Sequence, residues 1–479
     1  MAAPKSDVER AFDALTEKKP RYDLLYAYYS GDQPLVYSTE HLSDLFRKIE
    51  ARWVQNWCSV VVDSALERLT LKGFEVDEKV GGSKAASDRL TKLGAATDLE
   101  IEAYDAHKDA LITGEGFLLA WPDDEGGFDL YANDPRQVHA FYEAERPKVI
   151  EFAAKWWRVP EATMLNLYYA DRIEHWVGPK MPRSGRSFVP LENGGLDDRG
   201  EPIAADPVEE NPHGRVPVFH FRTSRRGPGG ELRSLLSAQD AVNKLLADMM
   251  VASEFGSFPQ RYVITEQDTS KLKIAPGQLW AFNPSDEGVQ PTEAGSFPTV
   301  DVGQYLGAMD KLAASIAIVS RTPKHYFFGQ GGDPSGEALI AMEAPLVKKC
   351  EHYGELFGQV WRELGIFMLG GSGIAVDPGS VSAVWDSMQT QQPISTTTAL
   401  LNYVKATMPL ATALRELGWG PDELKQLEDD MAAAAPPPSF GAAVSNFDKG
   451  GVPGAYPSGG GPAPAAAQRS GTPAPETPK

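Results

Sequence analysis

The feature that most constrains the fold of this chain is a long one-sided helix pattern from Glu231 to Phe255. Apolar residues recur there at about 100° per residue, and Arg233, Asp240, Lys244 and Asp248 fall on the opposite side. At 1.5 Å per residue such a helix reaches about 38 Å, which is long for a compact core. The apolar positions are Leu232, Leu235, Leu236, Val242, Leu245, Leu246, Met249 and Met250.

A second one-sided helix pattern runs from Val302 to Ser320. Between the two helices, residues 258–298 contain several prolines and two strand-like runs, Arg261–Thr265 and Gln278–Phe282. Proline is confined to edges and bulges of sheets, so this stretch predicts a small β-rich insert flanked by the helix pair. The apolar positions of the second helix are Val302, Tyr305, Leu306, Met309, Leu312, Ala313, Ile316 and Val319.

A third long helix is predicted after a loop at Thr322–Gly332. Asp333-Pro334 has the pattern of an N-cap followed by proline at the first helical position. The helix should continue to about Leu369, bend at Pro345 and end at the glycines 370 and 371. The elements predicted beyond it are a strand at Ser380–Asp386 and helices at Ser395–Val404, Ala411–Leu417 and Pro421–Met431.

The first half of the chain predicts helices mixed with an antiparallel meander, so the fold class is α+β. Helical patterns lie at Ser6–Thr16, Leu42–Leu69 and Ser87–Thr113. An acidic stretch rich in Gly and Pro, Leu191–Glu210, predicts a solvated loop. The strand-like runs are rich in β-branched and aromatic residues, and they are Phe117–Trp121, Val138–Tyr142, Val149–Trp157, Met164–Tyr169 and Arg172–Val177.

Composition excludes several classes of protein. The 479 residues carry a net charge of −20, so any contact with nucleic acid should be local rather than spread over the surface. Cys58 and Cys350 lack CxxC spacing and are expected to be core residues. Neither a signal peptide nor a membrane-spanning run of about 18 apolar residues is present, which predicts a protein without membrane contact. Residues 433–479, dominated by Ala, Pro and Gly, are predicted to be disordered.

Sequence patterns of known catalytic sites are nearly absent. There is no HExxH, no GxxxxGK[ST], no GxSxG and no GxGxxG that opens a helix. The eight histidines are scattered, with no two at i, i+4 on one helix. Gly329, Gly331 and Gly332 superficially resemble a phosphate-binding loop, but no Lys-Ser/Thr pair follows them. We therefore expect no catalytic residue, no metal and no cofactor.

The order of long helix, β insert, long helix, loop and long helix resembles the portal proteins of tailed bacteriophages. The likeness is to the siphophage portal family of Gram-positive and actinobacterial hosts, and it spans about residues 20–430. The family's Gly-x-Ser-Glu-Leu at the start of its stem appears here only as Gly229-Gly230-Glu231-Leu232. The motifs that carry the resemblance are YYSGDQPL at 28–35, NWCSVVVDSALERLTLKGF at 56–74, DALITGEG at 109–116, GRVPVF at 214–219, QDAVN at 239–243 and SGEAL at 335–339.

The resemblance implies a portal fold divided into wing, stem, clip and crown. On this chain the wing would take residues 1–228 with a return strand in 371–392, and the stem helices 229–257 and 301–320. The other implied regions are the clip at 258–300, the tunnel loop at 321–336, the tunnel helix at 337–370, the crown helices at 393–432 and the disordered tail at 433–479.

The resemblance also implies a non-enzymatic function. Portals form a ring of about twelve subunits at one capsid vertex, through which double-stranded DNA is packaged and later ejected. The implied partners are double-stranded DNA, the terminase large subunit, and capsid, scaffold and head-tail adaptor proteins. The implied locations are the virion and, during assembly, the host cytoplasm.

Two sets of residues are candidates for these roles. The DNA-channel set lies in the tunnel loop and consists of Arg321, Lys324, His325 and Gln330. The subunit-packing set lies on the stem helices and consists of Leu235, Leu246, Met249, Leu306, Leu312 and Ile316.

Alternatives remain open at two levels. The aromatic residues after His325 could simply pack beneath the wing, with Lys324 in solvent. The whole chain could instead be an enzyme with an unrecognised site, such as a nuclease or a terminase-like ATPase, or another capsid component such as a shell or adaptor protein.

Overall fold

The computed structural model describes residues 5–34, 54–123, 126–191, 206–227, 229–257, 261–264, 293–296, 301–327, 336–389 and parts of 400–434. These residues belong to two compact units, Met1–Gln392 and Pro393–Lys479. The helices of the first unit are α1 (Asp7–Ser30), α2 (Trp57–Leu66), α3 (Lys84–Ala96), α4 (Leu99–Thr113), α5 (Leu236–Ser257), α6 (Gly303–Ser320) and α7 (Gly336–Gly371).

Strands make up the rest of the regular structure of the first unit, which confirms the α+β class. The strands are β1 (Leu71–Val76), β2 (Glu115–Pro122), β3 (Phe128–Asn133), β4 (Val138–Tyr142), β5 (Ile150–Arg158), β6 (Ala162–Tyr168), β7 (Arg172–Pro179), β8 (Val189–Pro190), β9 (Val208–Glu210), β10 (Val218–Arg222), β11 (Arg261–Ile264), β12 (Glu293–Ser296) and β13 (Val381–Trp385).

The predicted antiparallel meander is confirmed for β4-β5-β6-β7, and β8 continues it. Strand β9 also pairs with β7, so the loop predicted at Leu191–Glu210 is wrong for its last three residues, which gain backbone partners from β7. Helix α1 covers one face of this sheet, where Phe12 and Leu15 pack with Phe152 and Leu165. The opposite face packs on a second sheet of order β10-β2-β3, in which neither β3 nor β10 was predicted as a strand. Strand β2, predicted at Phe117–Trp121 as part of the meander, belongs to this second sheet instead. The two sheets and α1 therefore form a layered N-terminal half.

Helix α1 extends well beyond the predicted Ser6–Thr16 and continues through Pro20. Ser6 and Glu9 form a capping box at its start: the Ser6 side chain accepts from the Glu9 N–H, and the Ser6 N–H donates to the Glu9 carboxylate. At the other end Gly31 adopts a left-handed conformation that closes the helix. Good caps and a buried face offset the hydrogen bond that proline removes.

Three predicted helices are interrupted in the structure. Of the helix predicted at Leu42–Leu69, residues 42–53 lie outside the described residues, 54–56 are not helical, and α2 begins at Trp57 because the Asn56 side chain caps it. The helix predicted at Ser87–Thr113 divides into α3 and α4, because Asp98 adopts a left-handed conformation with φ of 48°. The helix predicted from Glu231 begins instead as a 3-10 turn at Leu232–Ser234, and α5 follows it. In contrast, α7 is one helix of 36 residues that passes through Pro345 and ends at Gly371, as predicted.

Strand β13 returns after α7 to pair antiparallel with β1, with Val76 opposite Val381. This pairing confirms the strand predicted at Ser380–Asp386 and joins segments about 300 positions apart in the chain. The main core lies beside it and contains residues of α2, α4 and α7. Cys58 and Cys350 are both buried and free, as expected, and burial raises the pKa of their thiols to about 12 and about 11.

His107 ties α4 to α7 inside the main core. Its Nε2 accepts a hydrogen bond from the Trp361 indole N–H at 2.9 Å, so its Nδ1 carries the proton and donates to the Leu69 carbonyl at 3.1 Å. The Phe357 ring stacks on the imidazole at 4.9 Å. Burial lowers the pKa of His107 to about 3, so the ring is neutral at physiological pH.

The second unit contains α8 (Leu410–Glu416) and α9 (Pro421–Ala434), which confirms two of the helices predicted there. Most of the predicted helix Ser395–Val404 lies outside the described residues, as do the predicted strand Gln278–Phe282 and nearly all of the tail. None of the helices in the described ranges is long and apolar enough to cross a membrane.

Candidate functional site: a polar joint at the ends of the long helices

The ends of α5 and α6 meet α2, α7 and the segment 321–327 in one region of the first unit. We call this region the helix joint and define it by two buried ion pairs, Lys349–Glu231 and Arg68–Glu343, together with the backbone they contact. Three of the four predicted DNA-channel residues lie in the segment 321–327.

The QDAVN motif fixes the first turns of α5 to the segment that leads into α2. The Gln239 side chain accepts from the Trp57 N–H at 3.0 Å, and the Asn243 side chain accepts from the Gln55 N–H at 2.9 Å. The Asp240 carboxylate accepts from the Tyr28 hydroxyl at 2.8 Å. Three separate motifs of the sequence, at 28–35, 56–74 and 239–243, thus meet through these hydrogen bonds.

An apolar core holds α5 and α6 together next to these hydrogen bonds. Leu235 and Ile316, two of the predicted subunit-packing residues, are each only 2% exposed in this core and are covered by the chain itself. Leu312 lines the same core and is partly buried. The other three predicted residues, Leu246, Met249 and Leu306, are partly exposed.

Lys349 connects three elements through one ammonium group. Its Nζ lies 2.9 Å from the Glu231 carboxylate, and the two side chains are 9% and 5% exposed. The same Nζ donates to the Ser320 carbonyl at 2.8 Å, which is the last carbonyl of α6 and has no partner within that helix. The Tyr353 hydroxyl donates to the second Glu231 oxygen at 2.6 Å. The approach to α5, the end of α6 and the middle of α7 are therefore held at one point.

The second ion pair also involves α7, through Glu343, which precedes Lys349 on the same helix. The Arg68 guanidinium is 2.9 Å from the Glu343 carboxylate and donates to the Met388 carbonyl at 2.9 Å. The Tyr326 hydroxyl donates to Glu343 at 3.1 Å. Burial raises the pKa of the Tyr326 hydroxyl, which therefore stays protonated and able to donate.

The structure places three of the four predicted DNA-channel residues and modifies their expected environment. Arg321 is exposed and closes α6 in a left-handed conformation, with φ of 55°. Lys324 is not free in solvent, because its Nζ lies 2.7 Å from Asp310 on α6. His325 Nε2 lies 4.0 Å from Glu343. Gln330 lies outside the described residues.

The aromatic residues after His325 anchor the segment. Phe327 is buried, and its ring centre lies 5.7 Å from that of Trp57. Residues Lys324–Tyr326 form a 3-10 turn, and Tyr326 is fixed by Glu343. Tyr326 and Phe327 therefore pack against the protein, whereas Lys324 is partly exposed and paired with Asp310, and Phe328 lies outside the described residues.

Glycines let the chain approach the joint closely. Gly114 has φ of 96°, and a Cβ atom there would lie 2.6 Å from the backbone of Gly229. A Cβ atom on Gly116 would lie 2.1 Å from the Ala106 carbonyl oxygen. Gly114 in the segment DALITGEG therefore permits contact with the residues just before Glu231, and Gly116 permits close contact with α4.

Replacing Gly114 with alanine should destabilise the protein by about 1–3 kcal/mol, because the new methyl group meets backbone in a conformation unfavourable for L-residues. Gly370→Ala is the matched control: this helical glycine has open space around its Cβ position, so the change should be neutral or slightly stabilising. Urea unfolding of both variants measures the difference. Equal stability of the two variants would contradict the close approach.

A second group of ionisable side chains lies between α1, β2, β4 and β10. Lys18 Nζ is 3.4 Å from Glu115, and His220 Nε2 is 3.8 Å from the same carboxylate. Burial lowers the pKa of His139 to about 4 and that of His220 to about 3. Burial alone would raise the pKa of Glu115, but Lys18 and His220 outweigh it and lower that pKa to about 2. An adjoining gap lined by Phe117 and Tyr168 is too narrow to admit water, so this group holds layers together.

The polar groups described above hold helices and sheets in place. Within the described ranges, no group of three His, Cys, Asp or Glu residues is arranged to hold a metal ion. The model of one protein family, "Phage portal protein, SPP1 Gp6-like", matches residues 9–436. The chain belongs to this portal family, which confirms the resemblance, and portal families are structural components of the capsids of phage-like particles.

Known relatives agree with this assignment. The portal protein of Mycobacterium phage D29 is 24% identical over 405 residues, covering 78% of each chain. That of Mycobacterium phage L5 is 23% identical over 408 residues, again covering 78% of each chain. Among solved structures, a chain from the neck of a native gene transfer agent particle is similar at 13% identity with a TM-score of 0.43, covering 83% of this chain and 99% of that chain.

Proposed function

We propose that this portal protein forms a closed ring of about twelve subunits at one capsid vertex, and that double-stranded DNA passes through the ring during packaging and ejection. The observation that carries the proposal is an excess of apolar surface on α5 and α6. Ile318 and Val319, near the end of α6, are 79% and 55% exposed. Leu246 and Met249 on α5 are also only partly covered by the chain.

A ring supplies the partner that this surface lacks. The inner stripe of α5 and α6 is already occupied by their own core, so further apolar side chains on the same helices need another chain to cover them. In a cyclic assembly every subunit offers the same helix pair to its neighbour, so the surplus is buried around the whole ring. We therefore assign subunit packing to Leu246, Met249 and Leu306, with Leu235, Leu312 and Ile316 supporting them from the core beneath.

The chain's charge supports a passage for DNA. The chain has a net charge of −20, which is compatible with a channel lined by carboxylates. Such a lining would let DNA slide, because carboxylates repel phosphates and create no lasting binding site. Cationic and polar side chains at a few positions would then make the transient contacts. We assign these contacts to Arg321, Lys324, His325 and Gln330 of the tunnel loop, residues 321–336.

The other regions follow the portal plan. We assign the wing to residues 1–228 and 371–392, the stem to 229–257 and 301–320, the clip to 258–300, the tunnel helix to 337–370 and the crown to 393–432. The ring would dock the terminase large subunit during packaging in the host cytoplasm. It would also contact capsid, scaffold and head-tail adaptor proteins, and its final location would be the virion.

The substitution Leu246→Asp should prevent ring formation, because it places an ion in the interface that the proposal requires to be apolar. Ser237→Asp, at an exposed position on the same helix, changes the charge equally and should leave the ring intact. Native mass spectrometry and electron microscopy of the purified proteins measure subunit number. If the unaltered chain stays monomeric over a wide range of concentration and salt, the ring proposal fails.

A further inference from the structure

The ion pair between Lys324 and Asp310 is the unexpected feature of the tunnel loop. The two charged atoms are 2.7 Å apart, and their side chains are 35% and 34% exposed. Asp310 lies in the middle of α6, fourteen positions before the lysine it contacts. The lysine proposed to meet DNA phosphates thus already has a carboxylate partner from its own chain.

The backbone on both sides of Lys324 is fixed, so the pair is positioned by the fold. Thr322 is buried, and its N–H donates to the Ser320 side chain at 3.3 Å. On the other side the Phe327 N–H donates to the Lys324 carbonyl at 3.0 Å, and the Phe327 ring packs on Trp57. Only the flexible Lys324 side chain can therefore move between Asp310 and another anion.

The energy of the pair permits such an exchange. Partly exposed Lys–Asp pairs contribute little net stability, so thermal motion opens them readily. A phosphate that takes the ammonium leaves the Asp310 carboxylate uncompensated beside it, and this repulsion weakens the new contact. Among the described residues Arg321 has no carboxylate partner of this kind. Arg321 and Lys324 therefore differ in whether a nearby carboxylate competes with phosphate.

We propose that Asp310 limits the strength of the contact between Lys324 and DNA by holding the ammonium and competing with phosphate for it. This inference rests on the proposed passage of double-stranded DNA past the tunnel loop. Asp310 is then a tuning residue: it lets Lys324 touch each passing phosphate without retaining it. Removing the Asp310 carboxylate should therefore make the ring bind DNA more tightly, by more than the loss of one of the 66 acidic side chains would cause through total charge alone.

The test compares binding of a short synthetic DNA duplex to full-length rings over a series of NaCl concentrations. Asp310→Asn should bind several-fold more tightly than the unaltered protein. Its plot of log affinity against log salt should be steeper by up to about 0.9 for each subunit engaged. Asp310→Ser serves as a second neutral variant, and native mass spectrometry checks that each variant forms rings.

Two further variants separate a local effect from a general change in charge. Asp13→Asn removes a carboxylate from the exposed Lys5–Asp13 pair on α1, and it should bind DNA like the unaltered protein. The double variant Asp310→Asn/Lys324→Met should lose the gain, because the liberated ammonium is what causes it. Tight binding that persists in the double variant would overturn the role of Asp310.

The remaining outcomes distinguish this inference from the proposed function. If Lys324→Met weakens binding but Asp310→Asn has no effect, the DNA contact stands and the competition by Asp310 is wrong. If only Arg321→Met weakens binding, Lys324 does not meet phosphate and the inference fails while the loop keeps its contact. If neither Arg321→Met nor Lys324→Met has an effect, the proposed DNA contact fails together with the inference.

Discussion

Replacing Lys349 with methionine should lower the free energy of unfolding by about 3–5 kcal/mol, because it leaves the buried Glu231 carboxylate without its cation. The lost ammonium is also the donor to the Ser320 carbonyl, so the end of α6 loses its contact at the same time. Urea unfolding monitored by tryptophan fluorescence measures the effect. Hydrogen exchange should increase near residues 231–236 and 316–321, where the three elements meet.

Lys348 offers a matched control at the neighbouring position. Its side chain is 80% exposed and pairs with Glu351 one turn ahead, so Lys348→Met should leave the free energy of unfolding nearly unchanged. A double variant, Lys349→Met/Glu231→Gln, should cost less than the sum of the two single changes, because each single change leaves one buried ion unpaired and the double variant leaves none. Equal effects at Lys348 and Lys349 would contradict the role of the buried ion pair.

Sequence periodicity predicted α5, α6 and α7 well because each of them keeps one apolar stripe over many turns. It placed the start of α5 wrongly, because Glu231 at the predicted start is held by distant partners rather than by the hydrogen bonds of a helix. The Glu231 N–H donates to the Leu111 carbonyl at 2.7 Å, and its carboxylate is bound by Lys349 and Tyr353. These partners lie more than 100 positions away, so no local pattern reports them.

The candidate site was harder to predict than the fold. A signal for Lys349 does exist, since it falls between Leu346 and Tyr353 on the apolar stripe of α7, and a lysine on such a stripe needs a buried partner. The partner cannot be chosen from the sequence, which contains 66 acidic residues. The pairing of Lys324 with Asp310 was missed for the same reason, because it depends on how the loop folds back on α6.

Lowering the pH from 7 to 5 should destabilise the protein through its buried histidines. An unfolded histidine binds a proton near pH 6.5, whereas His107 in the folded chain does so only at about 3. Between these values the unfolded state holds more protons, so stability is present above pH 6.5 and is lost as the pH falls. At about 1.4 kcal/mol per pH unit, His107 alone accounts for about 2 kcal/mol of the loss by pH 5.

Other groups shift the total in both directions. His139 and His220 act like His107, since their pKa values are lowered to about 4 and about 3. Asp109 acts oppositely, because burial raises the pKa of its carboxyl to about 7 and the folded state then gains stability on acidification. The change in total stability therefore mixes these contributions, and a difference between two variants is needed to isolate one histidine.

The substitution His107→Gln isolates the contribution of His107 to the pH dependence of stability, because glutamine does not titrate and its amide can still donate and accept hydrogen bonds. The variant should be less stable than the unaltered protein at pH 7, since the stacking on Phe357 is lost. Its stability should nevertheless fall by about 2 kcal/mol less between pH 7 and pH 5. Urea unfolding at a series of pH values measures both curves; parallel curves would mean that His107 takes up its proton in the folded state as readily as in the unfolded one.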